Sequence, residues 1–238
     1  MTDQSGGKCI KELAERYNNP VFFQNDPVLF PRHFFELFLK GKATLQDVEI
    51  AGIVASYLAW GRRELIIRDC RRAFDEMGWQ PYDYVRKGLY KSEAQSLHRT
   101  IKWSDFARIC SNLREYYSRC TTLEKADVTS IRERIFGQKA DPRATNKKIH
   151  LFLRWMVRND GIVDLGIWRE TSPADLIIPM DVHVHRSALM LGITKRKSND
   201  IITAVEITKY LSKLFPGDPC KGDYALFAHA VSNIKINR

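Results

Sequence analysis

The chain is 238 residues long and 44% apolar, enough to bury a core and ordinary for a globular protein. Its 38 Lys and Arg outnumber 28 Asp and Glu, a balance of +10 that favours a polyanionic partner through phosphate neutralisation and counterion release. The five cysteines, at 9, 70, 110, 120 and 220, are scattered without a C-x-x-C pair, which argues against a zinc ribbon, an iron–sulfur cluster or a secreted disulfide scaffold.

No apolar run approaches the ~20 residues needed to cross a membrane. The opening MTDQSGGKCIKELAERY lacks the basic-then-apolar order of a signal peptide. The expectation is a cytoplasmic, monomeric protein in a reducing compartment, with no membrane attachment.

Residues 1–7 are small and polar and read as frayed. Ile10, Leu13, Ala14 and Tyr17 repeat at helical spacing, and Asn18-Asn19-Pro20 ends that helix. Asp26-Pro27 and Phe30-Pro31 read as turns, with a short aromatic helix from His33 to Leu39. Thr44 is a good N-cap, with Asp47 three residues on. Val48, Ala51, Val54, Ala55 and Leu58 then form a buried stripe running up to Trp60.

Gly61 lets the chain turn. Arg62-Arg63 opens a helix carrying Leu65, Ile66, Cys70 and Phe74, which Gly78 stops. Trp79-Gln80-Pro81 starts a short helix, and Thr100 to Tyr117 reads as a longer one. Val128 to Phe136 is helical up to Gly137, and a basic loop continues to Arg143.

A central helix runs to Arg158, and Asn159-Asp160-Gly161 turns the chain. Ser172-Pro173 caps a brief helix ending at Ile178. The helix after Asp181 ends at Gly192. Ser198 or Asn199 caps the next, to Phe215, and Lys221 to Ile234 closes the chain. No segment alternates at period two for more than about four or five residues. The fold class is all-α, with ten or more helices in two packed lobes: a middle lobe of roughly 44–150 and another from both chain ends.

Two polar groups of opposite chemistry stand where helices start. With Asn146 as N-cap, Lys147 is the first helical residue, and the helix dipole and adjacent Lys148 both disfavour an ammonium there. Lys147 shares a face with Leu151, Arg154 and Arg158, while Lys148 shares one with Phe152 and Trp155; spacing alone does not choose between the lysines. Either is equally read as a solvated first-turn lysine. Trp155 is assigned to the core.

Asp181 is an N-cap for the amides of His183 or Val184. Such bonds hold a carboxylate ionised, as an oxocarbenium-like sugar transition state requires. His183 and His185 point to different helix faces and do not make a metal site with Asp181. No metal and no cofactor is expected.

At these residues the sequence resembles a known superfamily. Ile178-Pro179-Met180-Asp181-Val182-His183 resembles the Pro-Val-Asp-[Val/Thr]-His segment of the helix-hairpin-helix DNA glycosylases, in which the Asp is catalytic. Residues 146–158, with Ala59-Trp60-Gly61-Arg62-Arg63 and Asp223-Tyr224-Ala225-Leu226-Phe227, resemble a bacterial family of uncharacterised helical proteins related to the archaeal 8-oxoguanine DNA glycosylases.

The resemblance implies a glycosylase-like helical fold. It implies Lys147 as nucleophile in preference to Lys148, and Asp181 as its catalytic carboxylate. It also implies a base pocket of Trp60, Asp223 and Phe227. The glycine-rich hairpin of the superfamily is missing ahead of the lysine, where Lys139-Ala140-Asp141-Pro142-Arg143 stands instead. Phosphate contacts then fall to side chains: Arg62, Arg63, Arg143, Lys148, Arg154 and Arg158.

The expected function is a DNA base-excision glycosylase with AP-lyase activity, on duplex carrying a damaged base such as 8-oxoguanine. The alternatives are a non-catalytic binder of DNA or RNA with the same fold, and a glycosidic-bond hydrolase acting on RNA or nucleosides.

Overall fold

The structure, a computed structural model, describes residues 3–236, with side-chain surroundings for 6–229. It is mostly helical, 58% helix against 2% strand. The chain divides into two compact units, one of residues 1–22 with 141–238 and one of 23–140. The sequence reading places the middle lobe at roughly 44–150; here the aromatic segment before Leu39 joins the helices of 44–140 in the same unit.

The 23–140 unit contains α2 (Leu29–Leu39), α3 (Leu45–Leu58), α4 (Arg63–Glu76), α5 (Pro81–Lys87), α6 (Trp103–Tyr117) and α7 (Val128–Ser130), which runs into a π-turn over Ile131–Ile135. Helix α3 is its axis, buried from Asp47 to Leu58 and packed by α2, α4 and α5. A helix apolar on every side has to be surrounded. The Thr44–Asp47 capping box starts it, and the Asp47 carboxylate also accepts the Tyr82 amide at 2.9 Å, tying α5 to α3. Glu49, wholly buried in α3, accepts from the Tyr117 hydroxyl at 2.8 Å, the Thr122 hydroxyl at 2.5 Å and the Leu123 amide. One carboxylate thus anchors the turn after α6.

Two expectations are corrected here. Phe30-Pro31 does not break the chain: α2 starts at Leu29, so Pro31 falls in the first turn, where a missing N–H costs nothing. The α6 helix starts at Trp103 rather than Thr100, because Ser96–His98 (β1) and Ile101–Lys102 (β2) form a small antiparallel hairpin. Buried His98 holds it, with Nδ1 2.8 Å from Asp69 and Nε2 2.9 Å from the Trp60 carbonyl.

The other unit contains α1 (Asp3–Tyr17), α8 (Lys147–Val157), α9 (Val182–Met190), α10 (Ile201–Leu214) and α11 (Lys221–Ile236). Helix α1 begins at Asp3, within the stretch read as frayed; residues 1 and 2 lie outside the described residues. Helix α11 packs on α1 and α9. Gly222 brings its first turn against α10, since a Cβ there would sit 2.5 Å from Leu211.

Helix α8 buries Ile149, Phe152, Trp155, Met156 and Val157. Its last carbonyls accept from the loop beyond it: Leu165 N to Trp155 O at 2.8 Å and Trp168 N to Met156 O at 3.0 Å. These bonds satisfy groups that every helix end leaves open and lay Asp164 along α8. Two further boundaries differ from expectation. The helix at Pro173 is a single 3-10 turn ending at Asp175. Asp200 caps α10 through the Thr203 amide, ahead of either Ser198 or Asn199.

Candidate active site

Lys147 is the first residue of α8, as its place after Asn146 implies. Asn146 makes no side-chain cap; it takes a left-handed conformation (φ 47°, ψ 35°) that turns the chain into the helix, and asparagine tolerates that region better than most residues. Asp181 caps α9, its Oδ1 accepting from His183 N at 2.9 Å and Val184 N at 3.0 Å. Its Oδ2 lies 3.4 Å from Lys147 Nζ. The two side chains, 34 positions apart in the chain, are about 30% exposed. One carboxylate oxygen is fixed by the backbone while the other faces the amine.

Burial and, next, the like charge of Lys147 push the Lys148 amine down to about 8. A third group completes the neighbourhood. Asp223, in the first turn of α11, is buried. Its Oδ2 accepts from Arg154 Nη1 at 2.7 Å, and its Oδ1 has no hydrogen-bond partner among the described residues. Burial raises its carboxyl to about 6; Arg154 opposes this and the charge of Asp181 adds to it.

Beyond Asp223 the acids and arginines form a continuous network. Arg154 Nε lies 3.3 Å from Asp164. Arg158 bonds Asp218 at 2.9 Å, Asp160 at 2.8 Å and Asp164 at 3.1 Å. The Tyr224 hydroxyl donates to Asp164 at 2.8 Å. Guanidinium carbons of Arg154 and Arg158 stand 4.9 and 5.1 Å over the Tyr224 ring.

Residues 26–232 match a family described as protein of unknown function, DUF2400. The chain belongs to the DUF2400 family. No curated protein and no solved structure matches it.

In this DUF2400 chain the expected phosphate contacts divide by burial. Arg154 and Arg158, read as nucleic-acid contacts, are corrected: their side chains are 6% and 1% exposed and their charges are spent on internal aspartates. Arg62 is exposed, 3.8 Å from Glu64, and Arg143 is exposed, 3.9 Å from Asp200. Arg63 lies 3.6 Å from Asp26, and Lys148 is half-buried.

Phe227 sits one turn after Asp223 on α11, half-buried. Trp60 belongs to the 23–140 unit of the DUF2400 chain. There its ring meets His98 edge-on at 6.0 Å, and the Arg99 guanidinium covers it at 4.1 Å.

Sequence reasoning missed Asp160, Asp164 and Asp218 as partners of α8. The sequence carried no signal for them, because Arg154 and Arg158 share a helix face with Lys147 and nothing in their spacing separates a buried charge from an exposed one. It also missed His150, buried on α8 with neither ring nitrogen hydrogen-bonded among the described residues; burial pushes its imidazole down to about 4. Among the described residues no helix is long and apolar enough to cross a membrane.

Proposed function

We propose that this chain is a DNA base-excision glycosylase with AP-lyase activity, built on a helix-hairpin-helix glycosylase-like fold and acting in the cytoplasm as a monomer. The observation that carries the reading is the 3.4 Å approach of Lys147 Nζ to an Asp181 carboxylate whose other oxygen is locked by the α9 amides. An amine and a carboxyl group held in this way are the parts that nucleophilic displacement at a sugar carbon needs. The +10 balance supplies attraction for a phosphate polymer.

In this reading the damaged nucleotide is extruded from the duplex. The Lys147 nitrogen attacks C1′ as the bond from C1′ to the base breaks. That electron pair leaves with the base, which takes up a proton from solvent. Asp181 steadies the positive charge at C1′ and accepts the proton released by the new C–N bond. The ring oxygen is protonated and the sugar opens to an iminium. Loss of a C2′ proton then expels the 3′ phosphate, and water releases the lysine. Asp223 hydrogen-bonds the base edge, and Phe227 stacks against it.

Borohydride reduces the iminium to a stable amine, so protein and DNA become covalently joined. Wild type is expected to trap duplex DNA containing 8-oxoguanine or an abasic site, and Lys147→Ala to trap none. Asp181→Asn should slow trapping at least ~100-fold, the scale of losing a preorganised charge. Trapping lost in Lys148→Ala but kept in Lys147→Ala would move the nucleophile one residue along. Wild type trapping no better than Lys147→Ala would end the lyase assignment.

A further inference from the structure

In the 23–140 unit a cleft of about 400 Å³ is lined by Leu29, Phe30 and His33 of α2, Ile67 and Arg71 of α4, and Trp79. Its size is that of a small-ligand site. Helix α4 ends in a Schellman motif: Gly78 takes φ 59°, its amide reaches Asp75 O at 3.0 Å, and the Trp79 amide reaches Phe74 O at 2.9 Å. That motif needs a left-handed residue only at Gly78, yet Trp79 also has φ 53°. A bulky side chain seldom adopts such a backbone.

The Trp79 conformation aims the indole at α2. Its ring lies 5.6 Å from Phe74 and 6.3 Å from Phe30, inclined to them by 30° and 27°, and meets His33 edge-on at 5.3 Å. Its Nε1 donates to Asp75 at 2.8 Å, fixing the ring in its plane. Trp79 as a residue is still 36% exposed, and Leu29, which also lines the cleft, is 37% exposed. Arg71 on the rim is exposed and pairs with no acid among the described residues; Asp75, one turn on, is engaged by Trp79 instead.

A rigid, half-open indole wall with apolar neighbours favours a flat ring, and a single uncompensated guanidinium at its edge favours an attached anion. A bare phosphate would leave the aromatic wall unused, and an alkyl chain would leave Arg71 unused. We propose that this cleft binds a nucleoside monophosphate unit, with the base against Trp79 and the phosphate at Arg71. The site stands on residues of this unit alone, so it holds or fails independently of the Lys147–Asp181 reading.

Trp103, Trp155 and Trp168 are buried and Trp60 is half-buried, so Trp79 is the tryptophan a stacking base can quench. Titration with AMP should give saturable quenching, about tenfold weaker with adenosine and absent with ribose 5-phosphate. Arg71→Ala, a surface change, should weaken AMP about tenfold while leaving adenosine unaffected. Trp79→Phe should abolish the quenching and weaken AMP in equilibrium dialysis. A short single-stranded oligonucleotide binding at least tenfold more tightly than AMP would identify a unit within a strand; equal affinity would identify a free nucleotide. The proposal falls if AMP gives no saturable signal at millimolar concentration, if ribose 5-phosphate binds as well as AMP, or if Arg71→Ala binds AMP like wild type.

Discussion

Arg158→Ala separates an internal arginine from a DNA contact. In the folded protein the Arg158 guanidinium serves Asp218, Asp160 and Asp164, and the side chain is 1% exposed. Its loss does not strand all three equally. Asp164 keeps Arg154 at 3.3 Å and the Tyr224 hydroxyl, Asp160 keeps Asn18 and the Ile162 amide, and Asp218 is exposed enough to hydrate. The net loss is therefore that of one buried partner, about 3–5 kcal/mol, rather than three.

The pH dependence has a definite sign. Burial alone would raise the Asp160 carboxyl, but the Arg158 charge holds it below the usual range. A depressed folded value contributes stability that is present above the unfolded value of ~3.9 and lost as pH falls through the folded one. The variant lacks the Arg158 contribution to that depression, so its deficit is full above ~3.9 and shrinks as pH falls below it. Urea unfolding monitored by circular dichroism at pH 7.5 and pH 3 should show the full deficit at the first and a smaller one at the second. An unchanged midpoint, together with weaker DNA binding and a salt slope reduced by about 1, would return Arg158 to the phosphate-contact set.

The same geometry sets three further outcomes. Lys148 should react with an amine-modifying reagent, read by mass spectrometry, with an inflection near pH 8, and Lys147→Ala should move it partway up by removing the second cause; an ordinary lysine profile would refute this. Asp223, held at about 6 in the folded protein against ~3.9 unfolded, takes up protons on folding, so it makes stability fall as pH rises between about 4 and 6. Asp223→Asn should flatten that decline in urea midpoints, and an unaltered slope would count against it. Gly222→Ala should cost about 1–3 kcal/mol, since its Cβ would lie 2.5 Å from the buried Leu211 side chain; a wild-type melting midpoint would contradict the close approach of α10 and α11.

The features legible in the chain were local ones. The Thr44–Asp47 capping box, Asp181 as cap of α9, Lys147 as the first residue of α8 and Gly78 as the stop of α4 each come from the chemistry of a few neighbours. The failures were also local but ambiguous. Ser198, Asn199 and Asp200 are three acceptable caps in a row, and the one that reaches the Thr203 amide wins. Strand β2 runs straight into Trp103, the first residue of α6, with no intervening turn residue, so the hairpin was read as the start of the helix. The side-chain network of α8 was not legible because charge does not announce burial: Lys147, Arg154 and Arg158 share one face, and only their partners, drawn from the loops around 160–164 and 218 and from α11, decide which are inside.

Those partners give the α8 face a gradient. At its start Lys147 and Asp181 are about 30% exposed; further along the same face, Arg154 and Arg158 are closed off. The same charge type thus stands at an end open to solvent and at an end where it is paired inside the unit. The sealed end has an excess of acid, with Asp160, Asp164, Asp218 and Asp223 against two arginines. Setting these aside leaves 36 basic against 24 acidic residues in the rest of the chain, a balance of +12 rather than +10. The excess also accounts for Asp223: it is the acid that meets one arginine with one oxygen while Asp181 acts on it from the open end. A change at Asp181 should therefore be felt at Asp223. Asp181→Asn, by removing that charge, should lower the Asp223 carboxyl, detected as a downfield shift of its 13C carboxyl signal at pH 6, and a signal identical to wild type would break the link between the open and sealed ends.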